Sequence, residues 1–560
     1  MKKKILLFLF FYMSISFKTF AITRGEQEVV KAGHWIYDSL TAIMIDSGIA
    51  HFYDETPLTV QEIKILLLDI DYEKLSQAGK NNYDKIVSYF DEKKWGFGSD
   101  AFNFSLELSV NPEFQYKTND SLDWIFDRHL RSNFIDTQFG LEISKYVFLG
   151  TDIPIAQSKS ACERNDNYVN VPYDMTSIDI NFPHDAYLAS GILFGEKSGM
   201  NFKISTLNQS FGRSETGSVI FSENLTDAPN AVLKFFSPYV NYSADITMLG
   251  MERYMYMHKI EFRPHKKITF SLFEGALPYG NFDLRYMNPF TIFHGLAGWW
   301  DYKEKKSADG EQYDVASYLG LKINYTPVRY LRIFAHFAMN QFQMPNESDR
   351  TIPNGMAGQL GLESYIPVKD GYLHFNLEGF YATPYFMINE SPNWSYVKTY
   401  RETCDDSKTF YEWIGSPYGP DSAAIKFSCG YEVRQKWAVD FSYLFLARGE
   451  LSRPDFCGWG GFDYSFFSAH REENWVYPAV TKNSKYKNGS SFVSPSGVPE
   501  LLNVFSFRAD YYLFDFLCLS VRPGFSFAFN NKNVKDDFAV GFECSLSVKW
   551  YITKMAMKYK

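Results

Sequence analysis

The stretch HKIEFRPHKKITFSLF, residues 258–273, decides the fold class. Apolar and polar side chains alternate along both of its arms, and a basic turn at residues 264–267 separates them. A period of two residues predicts a β-hairpin with one apolar and one polar side. The apolar side would face a second sheet in a soluble sandwich, whereas it would face lipid in a closed barrel. The length of the strands distinguishes these two arrangements.

Two segments near the carboxyl end, residues 517–529 and 538–550, keep the same alternation over more than ten residues each. Strands of soluble sheets usually have about five or six residues, whereas a strand that crosses hydrocarbon at a tilt needs about 9 to 11. The pattern therefore predicts a transmembrane antiparallel β-barrel. In the opening stretch, the side chains that would point outward to lipid are the apolar ones: Ile260, Phe262, Ile268 and Phe270.

The connections between the predicted strands are alternately short and long. Turns such as residues 264–267 and 513–515 contrast with loops such as residues 388–421 and 449–500. Outer-membrane barrels show this asymmetry, with short periplasmic turns and longer external loops. About 460 residues, at roughly 25 to 30 per strand with its loop, give 14 to 18 strands, an even number in bacterial barrels.

The chain before residue 97 has a different period. Within residues 22–96, the stretch from Val29 to about Lys94 follows the helical spacing, and Thr59 with Glu62 forms a capping-box pattern. We predict a small helical bundle, either a free domain or a periplasmic plug or foot of the barrel. Residues 1–21 begin with three lysines, continue with an apolar run from Ile5 to Phe17 and end in a plausible cleavage site near Ala21, which is typical of a cleaved signal peptide. Residues 97–560 would then form a barrel in the outer membrane.

Composition excludes several classes of function. The net charge is -9, and loss of the four lysines before Ala21 would bring it near -13, which argues against nucleic-acid binding. Six cysteines lack any CxxC spacing, so we expect no metal and no cofactor, although Cys404 and Cys457 are candidates for a disulfide. Aromatic residues make up 18% of the chain, a content that fits interfacial girdles around a barrel.

Three segments carry a resemblance to a known family. They are residues 258–290, residues 211–238 (FGRSETGSVIFSENLTDAPNAVLKFFSP) and the helical stretches YDSLTAIMIDSGI and PLTVQEIKILLLDI. Together they resemble the capsule-assembly Wzi family. The resemblance implies about 18 strands, a periplasmic helical bundle and a lectin that holds capsular polysaccharide. The family's Gly-Gly-Pro after Gly-Arg is replaced here by residues 214–217, which puts the ligand more than the fold in doubt.

Candidate ligand-binding residues are those whose side chains suit sugars. Aromatic faces pack against sugar C–H groups, while carboxylate and guanidinium groups bind the hydroxyls. These residues are Arg213, Arg285, His294, Trp299, Trp300 and Asp301. Two alternatives stay open: the tryptophans would also suit a membrane-interface belt, and the arginines would also suit pairing with lumen carboxylates such as Glu252 and Glu261.

The sequence therefore favours a glycan-binding barrel over an enzyme, and it supplies no catalytic signature. A porin or transporter for small solutes is the main alternative, and an outer-membrane hydrolase is a third. The expected partners are outer-membrane lipid, surface polysaccharide and the barrel-assembly machinery. We expect a monomer and no nucleic-acid partner.

Overall fold

The structure is a computed structural model. It describes residues 20–99, 101–122, 132–157, 168–173, 175, 177–179, 183–278, 282–288, 290–293, 315–342, 354–388, 395–402, 405–450 and 493–558.

Eighteen strands within these ranges form one antiparallel β-barrel, which confirms the predicted fold class. They are β1 (Phe102–Val110, continued by Glu113–Lys117), β2 (Ile135–Ile143), β3 (Val147–Ile155), β4 (Ala186–Leu193), β5 (Gly199–Ser205), β6 (Asn230–Phe236), β7 (Val240–Gly250), β8 (Arg253–His265), β9 (Ile268–Pro278), β10 (Val315–Val328), β11 (Leu331–Gln341), β12 (Gly355–Val368), β13 (Gly371–Ala382), β14 (Ser422–Val433), β15 (Trp437–Arg448), β16 (Glu500–Phe514), β17 (Leu517–Phe529) and β18 (Phe538–Tyr551).

The last strand closes the barrel on the first. Glu543 of β18 pairs with Lys117, and Trp550 pairs with Val110, while the other edge of β1 pairs with β2. Closure pairs the backbone groups of the first barrel strand with those of the last, and such pairing is the condition for a sheet to lie in hydrocarbon.

The two faces of the sheet have the burial pattern of a membrane barrel. On β8 the inward-pointing Lys259 and Glu261 are 4% and 0% exposed, whereas the outward-pointing Leu272 of β9 is 51% exposed. The pattern is the reverse of the one that water imposes on a soluble sheet, where apolar groups are buried. Ile260 and Phe262 lie on the outward face, as the alternation predicts.

The two ends of the barrel differ in their connections. At one end, the short-turn end, tight turns join β8 to β9, β10 to β11 and β12 to β13. The opposite end, the long-loop end, carries the connections at residues 279–314, 383–421 and 449–499, together with one tight turn between β7 and β8. The asymmetry matches the pattern expected from the sequence.

Three helices precede the barrel: α1 (Trp35–Ser47), α2 (Val60–Leu67) and α3 (Gln77–Asp91); a fourth, α4 (Ile552–Lys558), follows β18. The predicted capping box is present, with Glu62 N–H donating to Thr59 Oγ1 and Thr59 N–H donating to Glu62 Oε2. Helix α1 ends at Gly48, whose φ of 73° is one that residues with a Cβ rarely adopt. No helix in the described part of the chain is long and apolar enough to cross a membrane.

Helices α1–α3 with their connections, hereafter the helical unit, contact the short-turn end of the barrel. Arg329 Nη2 donates to Asp46 Oδ1 at 2.7 Å, and Ala50 N–H donates to Lys266 O at 2.8 Å. Asn81 Nδ2 donates to Asp370 O at 3.2 Å. The helical unit is therefore anchored to three different turns of the barrel. The boundary at residue 96 and the periplasmic side of this end stay predictions.

Candidate binding cavity in the barrel lumen

A second segment fills the lumen from the other end. Residues 206–229, the connection from β5 to β6, form the inner loop, whose strand Ser210–Phe211 pairs with Glu55–Thr56 of the helical unit. Its apolar side chains join a buried core with the inward residues of the barrel, among them Phe273 and Tyr318. Inner loop and helical unit are thus packed together inside the barrel.

Buried ion pairs join the helical unit to the barrel wall. Arg332 of β11 donates from Nη2 to Asp54 Oδ2 at 2.8 Å, and Lys234 of β6 donates to Glu62 Oε1 at 2.6 Å. Arg263 of β8 pairs with Asp69 at 2.5 Å. The carboxylates belong to the helical unit and the cations to the wall, so the attraction holds the unit in the lumen.

The pKa values of these carboxyl groups follow from that arrangement. Burial acts to raise the pKa of Asp54, but the neighbouring cations Arg332 and Lys322 lower it well below its ordinary value. Glu62 behaves in the same way, since Lys234 outweighs its burial and lowers its pKa. Both groups therefore remain ionised in the folded chain at neutral pH.

A cavity of about 620 Å³ remains between the inner loop, α1 and strands β11–β17. Its lining mixes basic, acidic and aromatic side chains. The basic ones are Arg213, Arg332, Lys426, Arg434, Arg508 and Arg522; aromatic ones include Tyr365, Trp413 and Tyr418; the acidic ones include Asp38, Glu215, Glu363, Glu432 and Asp440.

The charges that face the cavity occur as pairs of opposite sign. His374 Nε2 lies 3.2 Å from Asp440 Oδ1, and Arg508 Nε lies 3.9 Å from Asp440 Oδ2. Lys426 Nζ lies 3.2 Å from Glu215 Oε2 on the inner loop. The side chains of Arg508 and Glu215 are 49% and 34% exposed, so both are partly accessible. Paired cations and carboxylates can bind polyhydroxyl groups, because they offer donors and acceptors side by side.

Among the predicted site residues, Arg213 lines this cavity. Its Nη2 donates to Asp38 Oδ1 at 2.6 Å and its Nη1 to Thr41 Oγ1 at 2.8 Å. Burial acts to lower the pKa of Arg213, but the Asp38 carboxylate raises it above its ordinary value. The guanidinium therefore links the inner loop to α1. This contact corresponds to the alternative role of the candidate arginines, in which they pair with carboxylates of the protein.

Arg285, another candidate ligand-binding residue, lies away from this cavity. It belongs to the short 3-10 helix Leu284–Met287 and contacts Asp283 within the same segment. That segment packs on the outward face of the barrel, where the rings of Tyr286 and Tyr256 stack at 5.2 Å. The structure thus does not bring Arg285 and Arg213 together.

The other predicted positions lie outside the described residues. They are His294, Trp299, Trp300 and Asp301, together with Cys404 and Cys457 of the candidate disulfide.

Asp440, Lys426 and Arg508 are cavity residues that our sequence analysis did not identify. The alternation of polar and apolar residues could have identified them. On β15, Asp440 and Ser442 alternate with outward apolar residues, and on β16, Arg508 lies on the face opposite to that of its neighbour Phe507. Alternation assigns these residues to the inward face. It does not indicate that they share one cavity, which requires the order of strands around the barrel.

The chain has no match among protein-family models or curated proteins. Its fold is similar to that of Wzi, a carbohydrate-binding β-barrel of the Escherichia coli outer membrane involved in group 1 capsule assembly: the TM-score is 0.55 at 9% identity, over 93% of this chain and 98% of Wzi. OprD of Pseudomonas aeruginosa gives a TM-score of 0.38 at 9% identity, over 80% and 94% of the two chains. OmpT of Vibrio cholerae gives 0.30 at 8% identity, over 81% and 99%. The similarity to Wzi concerns the fold, a closed antiparallel barrel of the kind that spans an outer membrane.

Proposed function

We propose that this outer-membrane barrel binds a polysaccharide and holds it at the cell surface. The observation that carries the proposal is the filled lumen: the helical unit and the inner loop occupy it and leave a polar, partly aromatic cavity. A volume of about 620 Å³ falls in the range of small-ligand pockets, which suits the end of a glycan of a few sugar units. The similarity in fold to a carbohydrate-binding barrel supports this proposal.

The cavity supplies the groups that sugar recognition needs. Arg508 donates from Nε to Asp510 Oδ2 at 2.7 Å and lies 3.9 Å from Asp440 Oδ2, so this cluster presents donors and acceptors side by side, which suits vicinal hydroxyls. Tyr418 and Trp413 line the same space and provide aromatic surface for C–H faces. Most charges are paired, so we expect binding to depend on hydrogen bonds more than on net charge.

Retention of surface polysaccharide by the refolded protein tests the proposal. The double variant Lys426→Gln with Glu215→Gln removes the ion pair between β14 and the inner loop, keeps the net charge and the approximate side-chain volumes, and we expect it to retain several-fold less polysaccharide. The matched control is Lys558→Gln with Asp515→Asn, an exposed ion pair at the short-turn end, which we expect to bind normally. Equal retention by both correctly folded variants would remove the cavity from the proposal.

The predicted tryptophan site can be tested in the same assay. If Trp299 and Trp300 form a glycan rim, Trp299→Ala with Trp300→Ala weakens retention and leaves folding intact, because a stacked ring can bury roughly 150 to 250 Å². If they form a membrane belt, the barrel loses heat stability while each folded molecule retains as much glycan as before. Measuring both quantities in one variant separates the two roles.

The alternative function, a porin, predicts a different measurement. An open solute pathway would produce steady conductance in planar bilayers at neutral pH. We expect the chain to be silent there, because the helical unit is held in the lumen by buried ion pairs.

A further inference from the structure

The segment after β9 lies against the outer wall of the barrel. Residues 282–288 and 290–293, hereafter the outer strap, pack on side chains of β8 that alternate with lumen residues. Met255 and Met257 belong to the lumen core, so Tyr256 points outward. The ring of Tyr286 stacks on Tyr256 at 5.2 Å. The strap therefore covers the face of β8 that elsewhere contacts lipid.

Burial values confirm this cover. Tyr256 and Ala276 are both only 1% exposed although they lie on the outward face, and Phe293 of the strap is 2% exposed. On the same face, nearer the short-turn end, Leu272 is 51% exposed. The strap and the halves of β8 and β9 nearer the long-loop end thus form one packed cluster outside the lumen.

The strap lies alongside the barrel wall, between its two ends, and not beyond the long-loop end. His258, on which Phe293 stacks with ring centroids 4.3 Å apart, is the sixth residue of β8 counted from the long-loop end. This places it about 12 Å below the start of the strand, since strands rise about 3.3 Å per residue and barrel strands tilt by about 40°. An apolar band about 25 Å tall, centred on this 13-residue strand, would include that depth.

The strap's other side is apolar and exposed. Phe290, Leu284 and Ile292 are 92%, 72% and 70% exposed, and Phe282 and Met287 are each 47% exposed. In water this patch would be unusual for so short a segment. It is continuous with the outward apolar surface of β8 and β9, which the fold assigns to lipid.

The strap also covers a polar pair on the lipid side. His258 Nε2 lies 2.7 Å from Glu274 Oε2, and both side chains point outward from neighbouring strands. Their side chains are only 15% and 14% exposed, and the ring of Phe293 lies parallel to that of His258 at 8°. Charged or polar groups are costly next to hydrocarbon, so an apolar cover over this pair lowers the cost.

From these observations we infer that the outer strap is embedded in the membrane, where its exposed apolar side chains contact the acyl chains of outer-leaflet lipid. One side of the strap covers the His258–Glu274 pair on the barrel wall, and the other side continues the lipid-facing surface. The loop after β9 thus returns along the wall and does not project into the medium at this point.

Spin-label accessibility tests the lipid contact. In a chain whose six cysteines are replaced by serine, Phe290→Cys is labelled with a nitroxide and the protein is reconstituted in phosphatidylcholine vesicles. Leu272→Cys on the lipid-facing wall and Lys535→Cys in the exposed turn after β17 serve as references. We expect the ratio of collisions with oxygen to collisions with a water-soluble nickel complex to match position 272 and to exceed position 535 several-fold.

Two results would overturn the inference. A ratio equal to that of position 535 would mean that the strap stands in water. Low accessibility to both reagents would mean that a second protein copy, and not lipid, covers it. A benzophenone side chain at position 290 in the chain with natural cysteines provides a second measurement: lipid adducts after illumination support the inference, and protein–protein products without lipid adducts contradict it.

Discussion

Arg332 is the residue that ties three parts of the molecule together. Its side chain is 2% exposed and donates to Asp54 of the helical unit and to Glu363 of β12, each at 2.8 Å. It also donates to Asn324 Oδ1 at 2.7 Å. One inward side chain thus satisfies acceptors on two neighbouring strands and on the helical unit.

Loss of this guanidinium should be costly. Arg332→Met leaves the buried carboxylate of Asp54 and the half-buried one of Glu363 without this partner, and breaking a buried pair in this way typically costs about 3 to 5 kcal/mol. The control Lys558→Met breaks an exposed pair with Asp515, which is worth about 0 to 1 kcal/mol. Denaturant unfolding of both variants in vesicles measures the difference, and equal midpoints would contradict the structural role of Arg332.

The faces of single strands allow a second prediction. Val540 is 44% exposed on the lipid side, so Val540→Arg should cost roughly 2 to 4 kcal/mol if the residue lies near the midplane. Ser526 and Ser545 point inward, but they are only 1% and 2% exposed, so an arginine side chain would be crowded there. Ser506 lines the cavity and is the better inward control, where arginine should cost much less. The reverse order of stabilities would mean that the two faces are inverted.

At the scale of elements, the inner loop depends on one carboxylate of the wall. Glu378 of β13 accepts from Glu215 N–H at 2.8 Å, Thr216 N–H at 3.0 Å and Thr216 Oγ1 at 2.9 Å. These bonds fix the part of the loop that borders the cavity.

We therefore expect Glu378→Leu to release this part of the inner loop. Amide hydrogen exchange at residues 213–218 should accelerate, because the two N–H groups lose their acceptor. Exchange in β17 serves as the internal control and should not change. Unchanged protection at residues 213–218 would show that packing of Phe221 and its neighbours suffices to hold the loop.

At the scale of the whole molecule, the charges between helical unit and wall predict a dependence on pH. The pKa values of Asp54, Glu62 and Asp69 all lie below their ordinary values, because wall cations outweigh burial. A lowered pKa in the folded state contributes stability above the unfolded value of about 4, and that stability is lost as pH falls through the folded pKa. The helical unit should thus stay seated from neutral pH down to about pH 4.

Planar-bilayer recording checks this dependence. We expect no conductance at pH 7 and openings only in strongly acidic solution, where the carboxylates become protonated and lose their attraction to the wall. Openings already present at neutral pH would indicate a porin, and silence throughout the acidic range would show that the ion pairs are not what retains the helical unit.

Local pattern alone determined the barrel class, the lipid-facing residues of the opening hairpin and the capping box at Thr59. Each of these depends on the period of a strand or on contacts within one helical turn, so neighbours in sequence suffice to specify it. The strand number was bounded to 14–18 and not decided, because loops of variable length separate the strands.

The tertiary structure alone decided the site and the course of the loops. Arg213 finds its partner Asp38 across 175 positions of the chain, and Asp440 and Arg508 share a cavity only because β15 lies beside β16. The segment that carries Arg285 lies outside the wall and not in the lumen, although its residue types suit either place. Sequence pattern specifies which side of a strand is apolar, but which distant charges meet, and on which side of the wall a loop packs, follow only from closure of the barrel.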